Sequence, residues 1–426
     1  MDIQELCPKD VFTYFKEISA IPHGSGNTKA LEEFLSFSIL KNETFSYQVC
    51  VRSDEDISLS FKVNFKLKDK ITVRQVLDIH AKKVNFVPEE DDDYYLFDKT
   101  NERDFPDLLK PISKKIKFYK DEWTTLYITV KGVDISGVYP IDIVFSNNKI
   151  ELGSSHFELT VINKEIDLSK ILPNTIWFHY DAIANYYHLK PFSKRYYKAM
   201  NNFMSSEVYH GVNVIYVPLF TPPLDTAEGL YRRTVQLVDV SLVDNKYIFN
   251  FDRVFEFIDN AKKMGFTIFE MSHLFSQWGA KYAPKVMVRV NGKLVRYFGW
   301  KDDSLGDKYF SFIKQFLEEF VNELKTRGFN KEEILFHISD EPGENSIDTY
   351  KAISNMYKTI IKPYRIFDAL SSYKFYEEDV LDEPVVSFNH IDGYRDHNVN
   401  TYVYYCCTQS REYVPNKFLN MPLNRQ

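Results

Sequence analysis

Ile334-Leu-Phe-His-Ile-Ser-Asp-Glu-Pro342 is an apolar run that stops at two adjacent carboxylates, Asp340 and Glu341, and then a proline. The run alternates and is rich in β-formers, which predicts a strand. Pro342 cannot extend a ladder, so the strand ends where the acids begin. Acids at the tip of an apolar strand are costly to place there. A site at the carboxyl end of a buried parallel strand would account for that cost. A turn with two solvated carboxylates is the other reading of the same residues, and the rest of the chain has to decide.

On both sides of this stretch the sequence alternates between strand and helix patterns. Apolar strand candidates fall at 176–180, 212–220, 267–271, 334–339, 365–369, 385–388 and 401–406, and helical periodicity is clearest at 251–264, 306–327 and 345–361. Short apolar strands alternating with helices make a parallel sheet with covered faces. The repetition continues well past five strands without a Gly-x-Gly-x-x-Gly phosphate loop. This predicts a (β/α)8 barrel of the TIM type rather than a dinucleotide fold. About seven strands are found where that barrel requires eight, so an incomplete barrel is expected.

Residues 43–162 have a different character. Stretches 43–51, 57–67, 71–79, 124–130, 138–145 and 157–162 alternate with period two and are punctuated by turn clusters, which predicts an antiparallel β-sandwich. The acidic run 89–93 reads as a solvated loop. Before the sandwich, Phe12, Phe15, Ile18 and Ile21 fall at helical spacing, Pro-His-Gly-Ser-Gly-Asn at 22–27 breaks the pattern, and a second helix is expected at 29–37. The expected organisation is a helical N-terminal appendage over 1–37, a sandwich over 38–165, a linker near 163–174 and the barrel over 175–426.

Composition narrows the function classes. The 426-residue chain has room for two cores and carries a net charge of −7, which argues against a nucleic-acid partner. No uncharged apolar stretch of about 18 residues is found, so no membrane span is expected. The opening Met-Asp-Ile-Gln-Glu-Leu is acidic and is no secretory signal, which favours the cytoplasm. The four cysteines, at 7, 50, 406 and 407, lack metal-ligand spacing and read as free thiols; no metal or cofactor is expected. The aromatic content of 16% suits aromatic-rich strands and sugar-stacking surfaces alike.

In a barrel the residues that follow each strand gather on one rim. Here these are Asp181 after the first strand, Phe220-Thr-Pro-Pro-Leu-Asp225 after the second, and His273 with Gln277-Trp278-Gly279 after the third. Asp340 and Glu341 follow the fourth, Asn389-His-Ile-Asp392 the sixth, and the seventh carries Tyr404 and Tyr405. Carboxylates, amides, an indole and phenols on one rim suit a carbohydrate subsite, with Asp181, His273, Trp278, His337, Asn389 and Tyr404 as candidate contacts. The plainer alternatives are partly buried packing for Trp278 and satisfied core roles for His273 and His337. Only one of Tyr404 and Tyr405 should point inward.

Neighbouring carboxylates fit poorly as an acid and a direct nucleophile, which must flank a bond about 5 Å apart. They fit better if Glu341 protonates the leaving oxygen while Asp340 orients a nucleophile carried by the substrate. A 2-acetamido group supplies one, since its carbonyl oxygen can attack the anomeric carbon to give an oxazoline.

Phe336-His-Ile-Ser-Asp-Glu-Pro, Phe220-Thr-Pro-Pro-Leu-Asp-Thr with Thr234-Val-Gln-Leu-Val-Asp, Gln277-Trp-Gly-Ala-Lys-Tyr-Ala-Pro-Lys, and Tyr404-Tyr-Cys-Cys with Pro415-Asn-Lys-Phe resemble glycoside hydrolase family 123, over roughly 38–426. The resemblance implies a retaining β-N-acetylgalactosaminidase that works through the substrate's acetamido group. Asp340 would be the acetamide-orienting residue and Glu341 the acid/base, with Trp278, Asn389 and Tyr404 in the pocket. Family members continue into a further barrel strand, so this chain is expected to be truncated at its C-terminus. A separate stretch, Val11-Phe-Thr-Tyr-Phe-Lys-Glu-Ile-Ser-Ala-Ile-Pro-His-Gly-Ser-Gly-Asn-Thr-Lys-Ala, resembles the start of the aminoacyl-histidine dipeptidases and reads as a fused fragment. The leading expectation is a glycosidase for terminal β-linked N-acetylhexosamine. A catalytically impaired carbohydrate-binding protein and a metallopeptidase fragment are the alternatives.

Overall fold

The structure, a computed structural model, describes residues 1–6, 35–81, 103–112, 115–166 and 172–404, which form two compact bodies, the first of described residues up to 166 and the second of residues 172–404. The expectations for helices at 10–36, the acidic run 89–93, Tyr405 and Cys406–Cys407 lie outside the described residues.

The first body contains β1 (Asp2–Leu6), β2 (Ser36–Lys41), β3 (Phe45–Arg52), β4 (Ile57–Asn64), β5 (Ile71–Ala81), β6 (Arg103–Pro111), β7 (Lys115–Phe118), β8 (Trp123–Val130), β9 (Gly137–Asn147) and β10 (Ile150–Glu165). They make two five-stranded sheets, β1-β3-β8-β5-β6 and β2-β10-β9-β4-β7. Period two drives the packing: Tyr139, Ile141, Ile143 and Phe145 of β9 are buried while the residues between them are more exposed. These side chains join Val49 and Val51 of β3 and Leu126 and Ile128 of β8 in a single apolar cluster drawn from both sheets. Tyr47 of one sheet stacks on Phe157 of the other with centroids 4.2 Å apart.

The expected helical appendage is corrected at both of its ends. Asp2–Leu6 pairs antiparallel with β3, and Ser36–Lys41 pairs parallel with β10. Ser-Phe-Ser-Ile alternates, so Ile39 is buried and Phe37 stacks on Phe45 at 5.1 Å. A short period-two signal was concealed behind the helical spacing that precedes it.

The second body contains β11 (Val214–Val217), β12 (Asp239–Val243), β13 (Lys246–Asn250), β14 (Ile268–Met271), β15 (Val286–Val290), β16 (Lys293–Phe298), β17 (Ile334–Phe336), β18 (Arg365–Ala369), β19 (Glu383–Ser387) and β20 (Tyr402–Tyr404). Six of these form a sheet in the order β11-β14-β17-β18-β19-β20, and every pairing in it is parallel. Thr175 adds a parallel bridge to Val214 at the β11 edge. The seven expected stretches therefore supply six strands and, beside the first, this bridge.

Helices cover the sheet as the periodicity predicts. The helix Asp307–Thr326 buries Tyr309, Phe312, Ile313, Phe316, Leu317, Phe320, Val321 and Leu324 along one stripe. The helix Asp252–Met264 buries Val254, Phe255, Phe257, Ile258 and Ala261 and stops at Gly265, whose φ of +118° lets its N–H return to the Ala261 and Lys262 carbonyls at 3.1 Å.

A four-stranded sheet, β13-β12-β15-β16, was not anticipated from the sequence. Its two hairpins turn on Asp244-Asn245, with φ of 48° and 60°, and Asn291-Gly292, with φ of 48° and 78°. Two residues of positive φ make the tight turn that suits twisted antiparallel strands, so Asn-Gly was the available signal. The strand that opened the sequence reading is also shorter than expected and ends at Phe336. The Ile338 and Ser339 N–H groups leave the ladder for the Asp368 carboxylate, at 2.9 and 3.2 Å.

Candidate active site

Asp340 follows this short strand and is 8% exposed. The Gln277 amide holds it, with Nε2 donating to Asp340 Oδ2 at 2.8 Å while Oε1 accepts the Asp225 N–H at 3.0 Å. Because both ends of the amide are engaged, its orientation and that of the carboxylate are set together. Glu341 adopts a left-handed conformation with φ +43°, its N–H bonded to the Ala369 carbonyl at 3.1 Å. Such a conformation costs a non-glycine residue about 1–2 kcal/mol. The turn sends the neighbouring carboxylates to different surroundings: Asp340 is buried, whereas Glu341 is exposed and accepts a hydrogen bond from the Tyr404 hydroxyl.

The loop carrying Gln277 is itself wound left-handed at Trp278, Gly279 and Ala280, with φ of 61°, 132° and 56°. A side chain at Gly279 would come within 3.0 Å of Ser346 Cβ, so only glycine fits. The Trp278 N–H donates to the Asp340 carbonyl at 2.8 Å, and Ser339 Oγ donates to the Ser276 carbonyl at 2.8 Å. These bonds stitch the two acid-bearing and aromatic loops together. The Trp278 side chain is 63% exposed, in place of the partial burial considered for it.

Beneath the acids lies a buried polar layer with a contributor from nearly every neighbouring strand. His337 is 1% exposed and bridges two carboxylates, Nδ1 to Asp368 and Nε2 to Glu270, both at 2.6 Å. Glu270 also accepts from Thr175 Oγ1 at 2.7 Å and Trp177 Nε1 at 2.9 Å. Asp368 additionally accepts from the Tyr350 hydroxyl. The His273 ring stacks on His337 with centroids 4.0 Å apart, and its Nδ1 lies 3.0 Å from the Tyr216 hydroxyl.

The ionisation states follow from these contacts. Burial alone would lower the His337 pKa, but the hydrogen bonds and charges of Asp368 and Glu270 outweigh it and hold it at about 9. His273, buried and facing the charged His337, is driven well below the usual histidine range and is neutral. Asp340 is pushed up to about 7 by burial and then by the charge of Glu341; His337 and the Gln277 bond pull it back, while Asp368 adds to the rise. Tyr404 is raised by burial and by its bond to Glu341.

His273, His337 and Asp368 place possible metal-ligand atoms within 4.8 Å of one another. Two ligands on one tetrahedral zinc stand roughly 3.3 Å apart, given bonds of about 2.0 Å. The 2.6 Å between His337 Nδ1 and Asp368 Oδ1 is shorter and fits a shared proton.

The model of the glycoside hydrolase 123 catalytic domain matches residues 177–426. The chain belongs to glycoside hydrolase family 123. A solved family 123 glycoside hydrolase from Clostridium perfringens, described for its hydrolysis of glycolipid glycans, superposes with a TM-score of 0.63 at 12% identity, covering 96% of this chain and 74% of that one. At that identity the match speaks to the fold. A family 39 glycoside hydrolase from Bacteroides cellulosilyticus WH2 matches at 11% identity over 91% of this chain and 58% of its own, with a TM-score of only 0.29. No curated protein matches the sequence. Among the described residues no helix is long and apolar enough to cross a membrane.

In this family 123 hydrolase, Asp340, Glu341 and Tyr404 come together, with the Trp278 backbone bonded to Asp340 beside them. Asn389 lies in the short turn Phe388–His390 after β19, and its side chain lies outside the described residues. Three sequence expectations need correction. Asp181 is buried and engaged by Arg232, whose Nε reaches both carboxylate oxygens at 3.1 Å, so it braces the Leu224–Arg232 loop. His273 and His337 are 0% and 1% exposed and have no surface for a sugar; they belong to the layer below. Glu270, Asp368 and Tyr216 were missed. Their signal was a carboxylate or phenol inside an apolar strand, as in Ile268-Phe-Glu-Met and Arg365-Ile-Phe-Asp-Ala, where an unpaired charge is too costly to stand.

Proposed function

We propose that this hydrolase removes terminal β-linked N-acetylhexosamine, with N-acetylgalactosamine favoured, and retains configuration through the substrate's own acetamido group. The observation that carries this reading is the inequivalence of the adjacent acids: Asp340 buried and held by Gln277, Glu341 exposed and bonded to Tyr404. In the first step Glu341 gives its proton to the glycosidic oxygen. The bond from that oxygen to the anomeric carbon breaks while the acetamide carbonyl oxygen bonds to the same carbon. Asp340 accepts the acetamide N–H and balances the positive charge of the oxazolinium. In the second step Glu341 takes a proton from water as the water oxygen bonds to the anomeric carbon, and the acetamide is released. Tyr404 holds Glu341 Oε1 in place, and Trp278 offers an exposed indole for a sugar face. We further read the first body as a β-sandwich and the six-stranded parallel sheet as an arc of a (β/α)8 barrel with the acids at its carboxyl rim.

The test is hydrolysis of a nitrophenyl β-N-acetylgalactosaminide by the wild type and by Glu341→Gln. Loss of an acid/base should lower kcat/KM by about 10²–10⁴-fold. A thiazoline analogue of the intermediate should inhibit the wild type. Equal turnover of the corresponding galactoside, which has no acetamido group, would sink the substrate-assisted mechanism.

A further inference from the structure

The polar layer beneath the rim contributes more than packing. Three buried groups stand in a row, Glu270, His337 and Asp368, joined at 2.6 Å on each side of the imidazole. A single oxygen of Asp368, Oδ2, also accepts the N–H groups of Ile338 and Ser339, the two residues that separate His337 from Asp340. The carboxylate that holds the His337 ring thus also fixes the backbone that delivers Asp340. With two carboxylates on its two nitrogens, the ring carries both protons and one positive charge.

Asp340 needs such a charge nearby. It is nearly buried, its neighbour Glu341 is a second carboxylate, and Asp368 is a third. The groups facing it are Gln277, Glu341, His337, Asp368, Tyr404 and Tyr216, and His337 is the cation among them. The groups facing His337 are Glu270, Asp368, neutral His273, the Tyr216 ring and the Trp177 indole. Glu270 touches His337 and serves to keep the imidazolium charged.

We propose that His337, clamped as an imidazolium between Glu270 and Asp368, is a positioning residue that biases the buried Asp340 toward its ionised form. That a charged Asp340 matters to turnover rests on the function proposed above; that the clamp governs its charge does not. Removing an opposite charge in close range moves a carboxylate by roughly one unit or more, which is tenfold or more in proton affinity.

The test separates the two statements. Asp340 is titrated directly in the substrate-free protein by carbon-13 NMR of labelled aspartate, its signal assigned by loss in Asp340→Asn. In His337→Gln the midpoint should rise by at least about one unit. In Glu270→Gln it should rise by a smaller amount, and this variant carries the test if His337→Gln does not fold. On the activity side, the acid limb of kcat/KM should move up with the midpoint, while the plateau at higher pH falls far less. An unmoved Asp340 midpoint in a folded variant of either residue, with activity reduced evenly at every pH, overturns the clamp. A midpoint that moves while the pH profile stays fixed upholds the clamp and overturns the role given to Asp340 in turnover.

Discussion

Between the two sheets of the first body, Tyr47, Phe157, Ile141, Ile143 and their neighbours meet as an apolar layer. At the centre of the parallel sheet of the second body, Tyr216, Glu270, His337 and Asp368 meet instead, one from each of four successive strands or their ends. Apolar packing is non-directional and tolerates any well-filled arrangement. A buried polar layer is directional, and each member left unpartnered keeps its desolvation cost. The second body therefore places its most demanding interactions directly under its acids.

The largest effect is expected at Asp368. Asp368→Ala removes the partner of a buried imidazolium and two backbone N–H groups together, and should destabilise the second body by about 3–5 kcal/mol. Calorimetry that finds a loss near 1 kcal/mol would make the polar layer no more demanding than the apolar one.

His337 gives the layer a pH signature. Its folded pKa of about 9 exceeds the value of about 6.5 expected in the unfolded chain, so its contribution is complete below 6.5 and is lost as pH rises through 9. The stability of the second body should fall across that window by about 1.4 kcal/mol for each unit of separation, and His337→Gln should flatten the slope. Denaturant titrations at pH 6 and 9.5 measure it; an equal fall in the variant would assign the slope to other groups.

Ile143→Val probes the first body and should cost only about 0.5–1.5 kcal/mol, with no dependence on pH. The smallest stability effect belongs to the rim. Trp278→Ala should leave stability within about 0.5 kcal/mol and raise KM with kcat nearly unchanged, as loss of uniform binding does. Steady-state kinetics showing kcat down and KM constant would move Trp278 from holding the sugar to acting on its transition state.

Much of this protein is local and was legible in its residues. Period-two runs such as Val138-Tyr-Pro-Ile-Asp-Ile-Val-Phe145 became strands, helical stripes such as Phe312, Phe316 and Phe320 became covering helices, and Asp340-Glu341 follow a buried parallel strand that stops four residues before them. Each depends on alternation or spacing within one element, which neighbouring residues alone express. The four-stranded sheet was also written locally, in Asp-Asn and Asn-Gly turns, and was overlooked. Residues that depend on partners far along the chain were out of reach. Gln277 meets Asp340 across 63 positions, His337 meets Glu270 across 67, and Asp181 is taken by Arg232 across 51. Whether a histidine meets a sugar at the rim or a carboxylate beneath it depends on which strands lie side by side. Pairing of that kind is decided by tertiary packing, because the free energy of a buried charge depends on the partners brought to it and not on its place in the sequence.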